Sequence, residues 1–188
     1  MMMTELSLNV LDIAQNSIKA GASLVTVALR RDTARKRLVI RIEDNGCGMT
    51  KEQTERVVDP FYTTRTTRKV GLGVPFFKMS AEMTGGSFGI ESVIGKGTAV
   101  WAEYCYEHID MLPLGDMAAT MTAMISVNPA IDFVYSYSRD ETSFSVDTRE
   151  VKAVLEGAPV NSPEVLGFIR DMIVENQSEI DHAANTAP

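Results

Sequence analysis

The sequence predicts an α+β fold, and three observations predict it. The opening segment Thr4–Ala20 repeats its apolar residues at helical spacing. Two pairs of strand-like runs, between Leu24 and Ile42 and between Ser87 and Tyr104, fold back through polar or glycine-rich turns. A second helical segment, Val74–Thr84, separates the two pairs. Helices and antiparallel hairpins in one chain define that class.

In the opening helix Leu6, Val10, Ile13 and Ser17 form one stripe, widened by Leu11, Ala14 and Ile18. Thr4 reads as its N-cap, Glu5 suits the first turn, and Gly21 reads as the glycine that ends it. Val25, Val27 and Leu29 alternate along the first strand, and Leu38, Ile40 and Ile42 along the second. The polar link Arg31–Arg37 makes them a hairpin. After the turn-rich Asp44–Met49, Thr50 caps a short helix in KEQTERVV. Asp59–Gly73, DPFYTTRTTRKVGLG, has no period and reads as a long mobile loop; loops of that length tend to be functional or disordered. Val74–Thr84 carries Pro75 in its first turn and ends at Gly85-Gly86. Ser87–Val93 and Thr98–Tyr104 then turn through Gly95-Lys96-Gly97.

Beyond Tyr106 the elements are a helix over Met117–Val127, strands over Ile131–Ser138 and Ser143–Val146, and helices over Thr148–Glu156 and Ser162–Glu179. Ser162 caps the last of these, with Pro163 in first place. Met117, Met121 and Met124 share one helical side, and such a stripe suits a core better than a binding surface. The expected organisation is a first unit over 4–105, an α+β appendage over 106–180 and a disordered tail over 181–188.

Composition bounds the function. Net charge is -7 from 18 basic and 25 acidic side chains, which disfavours a nucleic-acid binder relying on phosphate contacts. The two cysteines, Cys47 and Cys105, make neither a disulfide framework nor a zinc site. No leader pattern and no run of about 18 apolar residues is present, so a soluble, cytoplasmic protein is expected.

Three short motifs carry chemistry. Asn9, Asp12, Asn16 and Lys19 form a polar stripe on the opening helix. It reads either as a solvated face or as a site where Asn16 offers an amide oxygen to magnesium and Asp12 orients or deprotonates a water. DNGCGM follows a strand: Asp44 can accept from an exocyclic amine, and Gly46 and Gly48 let backbone approach a flat ring. A plain Asn45-Gly46 turn is the other reading. GLGVPF runs Gly71 and Gly73 into a helix start, where free amides face an anion, with Arg65, Arg68 and Lys69 just before it. It is neither the dinucleotide fingerprint nor the Walker lysine loop.

Together DIAQNSIKAGA, DNGCGM, DPFYTTR with GLGVPFFK, and GKGTAV resemble the ATP-binding module shared by gyrase B, the ninety-kilodalton heat-shock chaperones, histidine kinases and MutL, closest to the histidine kinases. The resemblance covers roughly Leu6 to Tyr104. It implies a two-layer α/β sandwich of the Bergerat type, a helical layer over a mixed sheet with ATP and magnesium between. By the same resemblance Asn16 is the magnesium ligand and Asp44 the adenine-recognising carboxylate. Gly46, Gly48, Gly71 and Gly73 shape the pocket, and Phe61 to Gly73 forms the ATP lid, with Phe61, Thr64, Arg65 and Leu72 on it. Lys19, Met49, Val74 and Thr98 complete the nucleotide-binding set.

Asp12 stands where ATPase branches commonly carry a glutamate, so hydrolysis is expected to be slow. The opening helix starts almost at the first residue of this sequence, so a counterpart of the dimerisation helices that carry a kinase's acceptor histidine is not expected before it. His108, five residues before Pro113, echoes the acceptor box but lacks the acidic residue directly after it, and reads as an ordinary connector histidine; His182 is given no role. Three functions follow: a kinase-like signalling subunit phosphorylating a partner protein in trans, an ATP-driven switch acting on a partner, or a MutL-like ATPase acting with nucleic acid, which the net charge disfavours.

Overall fold

Six strands form one mixed sheet with its helices gathered on one face. The computed structural model describes residues 4–59 and 73–183. In chain order the elements are α1 (Leu6–Lys19), β1 (Leu24–Asp32), β2 (Arg37–Asp44), α2 (Lys51–Arg56), α3 (Gly73–Met83), β3 (Ser87–Val93) and β4 (Gly97–Cys105). Then come α4 (Met117–Val127), β5 (Asp132–Arg139), β6 (Thr142–Asp147), α5 (Thr148–Val154) and α6 (Pro163–Ala183). The sheet order is β3-β4-β2-β1-β5-β6, antiparallel throughout except for the parallel pair β1 and β5.

Strand alternation decides which face the helices cover. Val25, Val27 and Leu29, Leu38, Ile40 and Ile42, Val100, Ala102 and Tyr104, and Phe133, Tyr135 and Tyr137 are all buried. Each such side chain contributes about 1.5–3 kcal/mol on leaving water. The opposite face stays partly solvated, with Arg41 lying over the Trp101 ring. One covered and one wet face is the usual state of a largely antiparallel sheet.

Both ends of α1 bear on the site. At its C-terminus Gly21 takes φ +75, its amide donates to Ile18 O and that of Ala22 to Ser17 O. That is a Schellman cap, which only a residue comfortable at positive φ closes without strain. Its N-terminus departs from expectation. Thr4 does not cap it; Glu5 holds that position in extended conformation without a side-chain cap. The amides of Leu6 and Ser7 donate instead to Pro113 O and Leu114 O, at 3.0 and 2.9 Å. The connector after β4 thus satisfies amides that a local side chain was expected to satisfy.

The C-terminal segment extends the same sheet. Leu24 to Arg31 of β1 pairs in register with Asp132 to Arg139 of β5, and α4 and α6 pack on one another over that half. Met117, Met121 and Met124 are core residues there. α6 runs past the expected end at Glu179, so Asp181, His182 and Ala183 are helical and not tail. The Asp181 carboxylate accepts from Tyr137 Oη at 2.7 Å and Arg139 Nη1 at 3.3 Å, which anchors the last turn to the sheet. Residues 184–188 lie outside the described residues.

Candidate functional site

Between the C-terminal half of α1 and the adjoining ends of β2 and β4 lies a cleft of about 360 Å³. α1 brings Asp12, Asn16 and Lys19 to it, β2 ends in it at Asp44, the following loop adds Gly48 and Met49, α3 enters at Gly73 and Val74, and β4 begins in it at Thr98. Nine of the residues singled out in the sequence therefore line one cavity. Gly46 stands in the same loop but points its amide at Asp44. Phe61, Thr64, Arg65, Gly71 and Leu72, with Arg68 and Lys69, lie outside the described residues.

Asp44 is held through both of its carboxylate oxygens. Its Oδ2 accepts from Ser17 Oγ at 2.6 Å, and its Oδ1 from the amides of Gly46 at 2.9 Å and Thr98 at 3.3 Å. A carboxylate has roughly four acceptor sites. Three are used, which leaves capacity for one further donor from the cleft. Ser92 Oγ joins the loop to the strand: it accepts from the Met49 amide at 2.8 Å, donates to Gly97 O at 3.1 Å, and lies 2.8 Å from Thr98 Oγ1.

The loop is shaped by close backbone approach. Gly48 has φ +67, and a Cβ there would sit 2.1 Å from Val93 O. Gly97 has φ +115, and its Cβ would sit 1.9 Å from Asp44 O. Neither position admits a side chain without displacing backbone. Asn45 turns away from the cleft: its Oδ1 accepts from the amides of Ser23 and Leu24, tying the loop to the start of β1. Asn45 thus does the turn-forming work while Asp44 faces the cavity. At the other wall Gly73 packs on Asp12, and a Cβ at Gly73 would fall 2.2 Å from Asp12 Oδ2. The first residue of α3 therefore touches the acidic residue of α1.

α2 closes the cleft from the side, with Gln53 and the adjoining Val57 in its lining. Its start is a full capping box: Thr50 Oγ1 accepts from the Gln53 amide and Gln53 Oε1 from the Thr50 amide.

The polar stripe of α1 does not act as one face. Asp12, Asn16 and Lys19 reach the cleft, but Asn9 is 1% exposed, and neither of its amide atoms has a hydrogen-bond partner among the described residues. Sequence reasoning also passed over several lining residues. Ser17, placed on the apolar stripe, is a buried donor to Asp44; a lone hydroxyl beside Asn16 on an apolar face was the available signal. Ile90 and Val100 sit in plain strand alternation and gave none. Cys47 lines the cleft and is exposed.

The comparisons with known proteins agree with this geometry. The family described as histidine kinase-, DNA gyrase B-, and HSP90-like ATPase matches residues 2–107. The sensor histidine kinase AruS of Pseudomonas aeruginosa is 34% identical over 101 residues, 50% of this chain and 10% of that protein. The sensor protein ChvG of Agrobacterium fabrum is 31% identical over 93 residues, 47% of this chain and 15% of that protein. The sensor protein SrrB of Staphylococcus aureus is 33% identical over 101 residues, 51% of this chain and 17% of that protein. The chain thus spans a small part of the length of these relatives. Among solved structures, the N-terminal domain of a DNA repair protein superposes with a TM-score of 0.56 at 15% identity, covering 84% of this chain and 58% of that one. The Aquifex aeolicus MutL ATPase domain complexed with ADP gives a TM-score of 0.50 at 16% identity, covering 78% of this chain and 64% of that one. These two share the fold. With the family match spanning more than half of its length, and with described residues of α1, the loop after β2, the start of α3 and the start of β4 lining one cleft, the chain belongs to the histidine kinase-, DNA gyrase B-, and HSP90-like ATPase family.

Proposed function

We propose that the cleft binds ATP with magnesium and that the protein is a cytoplasmic signalling subunit that passes the γ-phosphate to a partner protein in trans. The observation that carries this is the convergence of Asp12, Asn16, Asp44, Gly48, Gly73 and Thr98, from five separate segments, on one cavity. The remaining acceptor site of Asp44 suits the exocyclic amine of adenine. Gly48 and Met49 offer backbone and an apolar side chain to the ring, and Ile90 and Val100 an apolar floor. The triphosphate then lies toward Gly73, where α3 begins and its free amides favour anions.

The donor set fits magnesium. The ion takes few protein oxygens and keeps its waters and phosphate oxygens. Asn16 and Asp12, one turn apart on α1, both line the cleft. Among the described residues no group of three or more His, Cys, Asp or Glu gathers to cage a metal by itself. Bound there, magnesium would neutralise phosphate charge. Asn16 would hold it, Lys19 would offer a further cation to the phosphates, and Asp12 would orient the attacking group. Phosphoryl transfer rests on positioning and charge, so these residues supply what the reaction needs. In the transfer the bond from the γ-phosphorus to its bridging oxygen breaks, a bond to the partner's acceptor side chain forms, and ADP leaves.

A second reading, an ATP-driven switch with little transfer, is favoured by one observation. Asp12 rests against Gly73, the first residue of α3. An acidic side chain braced there couples occupancy of the cleft to the start of α3 without performing chemistry. The relatives that match are sensor proteins, which suits signalling in either reading.

The test is incubation of the purified chain with magnesium and γ-labelled ATP, alone and with cell lysate. Acid-labile label on one lysate protein supports transfer in trans; binding without transfer or phosphate release supports the switch. Asp44→Asn and Asn16→Ala are both expected to weaken ATP binding. For Asp44 the loss of a charged acceptor costs about 1.5–3 kcal/mol, roughly ten- to a hundredfold in Kd. Wild-type affinity in both variants, measured by calorimetry, would refute the site.

A further inference from the structure

Behind the wall of the cleft, Ser92 of β3 stands directly opposite Thr98 of β4 in the antiparallel register. Thr98 is in the cleft lining; Ser92 is not, among the described residues. The Ser92 Oγ meets three groups: the Met49 amide at 2.8 Å, Gly97 O at 3.1 Å and Thr98 Oγ1 at 2.8 Å. It thus joins the loop after β2, the turn between β3 and β4, and a residue of the cleft wall.

Counting protons gives these bonds a direction. A serine hydroxyl has one proton and two acceptor lone pairs. The Met49 amide is a donor and takes one lone pair. Gly97 O is an acceptor and takes the proton. Thr98 Oγ1 is left with the second lone pair, which it meets only as a donor. The reverse direction, with Ser92 donating to Thr98, leaves the Gly97 contact without a proton and makes one bond fewer. In a half-buried cluster the arrangement with more bonds is the more stable. The single proton of Thr98 therefore points back at Ser92, and toward the cleft Thr98 Oγ1 offers lone pairs. Asp44 beside it is also an acceptor, tied to Thr98 through the Thr98 amide at 3.3 Å from Oδ1. Two neighbouring acceptors suit an exocyclic amine, which carries two hydrogens on one nitrogen. They repel a carbonyl oxygen.

We propose that Ser92 is a positioning residue that sets base specificity: by holding the Thr98 proton it keeps Thr98 an acceptor, so that the cleft takes an amino purine and rejects a keto purine. This rests on the reading of the cleft as a nucleotide site with the base at Asp44. Ser92 acts through Thr98. Without the Ser92 Oγ, the Thr98 hydroxyl turns freely and donates to a carbonyl as readily as it accepts from an amine. Threonine in place of Ser92 supplies the same oxygen and suits a strand.

The test is titration calorimetry of the full chain with ADP and with inosine diphosphate, both in magnesium. The wild-type chain is expected to bind ADP more tightly than inosine diphosphate by about tenfold or more. In Ser92→Ala that ratio should fall by about fivefold or more, chiefly because inosine diphosphate gains. Ser92→Thr should keep the wild-type ratio. Thr98→Val should lose the ratio, and adding Ser92→Ala to it should lower the ratio no further. If Ser92→Ala does not fold, Ser92→Cys, whose sulfur is a weak acceptor, decides the matter by the same ratio. A merely structural role for Ser92 weakens both nucleotides alike. An unchanged ratio in the folded variant, a ratio lost in Ser92→Thr, additive losses in the double variant, or equal binding of the two nucleotides by the wild-type chain would each overturn the proposal and leave the nucleotide reading standing. No binding of ADP by the wild-type chain would overturn both.

Discussion

Asn9 is the residue whose energetics stand out. A buried amide with no partner costs about 1–3 kcal/mol relative to a satisfied one. Leucine at that position removes the unpaired donor and acceptor at similar volume, so Asn9→Leu is expected to raise stability by about 1–2 kcal/mol. A thermal melt checks it: a lower Tm would mean that the amide is hydrogen-bonded in solution. Asn9 also shows where reading residues by period stops. It shares the stripe of Asp12 and Asn16 at spacings of three and four, yet those two reach the cleft and Asn9 is enclosed. Helical phase places a side chain on a face; only the neighbouring element decides whether water reaches it. Gly48 gives a second residue-scale expectation. With φ +67 and backbone 2.1 Å from a built Cβ, Gly48→Ala forces the loop to shift, at a cost on the order of 1–3 kcal/mol. Nucleotide affinity and Tm should fall together, and an unchanged Tm would show that the loop accommodates the methyl group.

At the scale of elements, ends were less legible than interiors. The stop of α1 at Gly21 and of α3 at Gly85-Gly86 followed from residue type, because both depend on local backbone: Gly85 has φ +70, and the Gly86 amide returns to Ala81 O. The start of α1 did not, because its amides are capped by Pro113 and Leu114, about a hundred residues along the chain. The end of α6 did not either, because Asp181 is held by Tyr137 and Arg139 of β5. That anchoring is testable. Asp181→Ala removes a charged acceptor from Tyr137 and Arg139 and is expected to cost about 1–2 kcal/mol. Amide exchange should quicken in the last turn of α6 but not in α1. Unchanged protection there would mean that apolar packing alone, through Ile173 and Ile180, holds the helix to its end.

Over the whole molecule the buried tyrosines set the alkaline limit. Burial raises the Tyr104, Tyr135 and Tyr137 hydroxyls well above the ordinary value of 10.0, opposed at Tyr104 by the hydrogen bond with Ser80 and reinforced at Tyr137 by that to Asp181. A raised folded-state pKa contributes stability that is complete below the unfolded value and is lost as pH rises above it. The protein should therefore keep its stability to about pH 10 and lose it steeply above. These three of its five tyrosines should ionise only on unfolding, so tyrosinate absorbance and loss of circular dichroism should rise together; ionisation of all five before unfolding would contradict the packing. By itself the amino-acid sequence determined the α+β class, the core faces of the strands, the glycine-closed helix ends and the family, because alternation, helical period and turn chemistry act over a few residues. Only the tertiary structure decided that β5 joins β1, so that both halves of the chain share one sheet. It also decided that Ser17 and the Thr98 amide hold Asp44, that Asn9 is enclosed, and that a second cavity forms around Arg31. Each of these depends on groups tens of residues apart meeting across the sheet, and the spacing of residues along a chain carries no record of such a meeting.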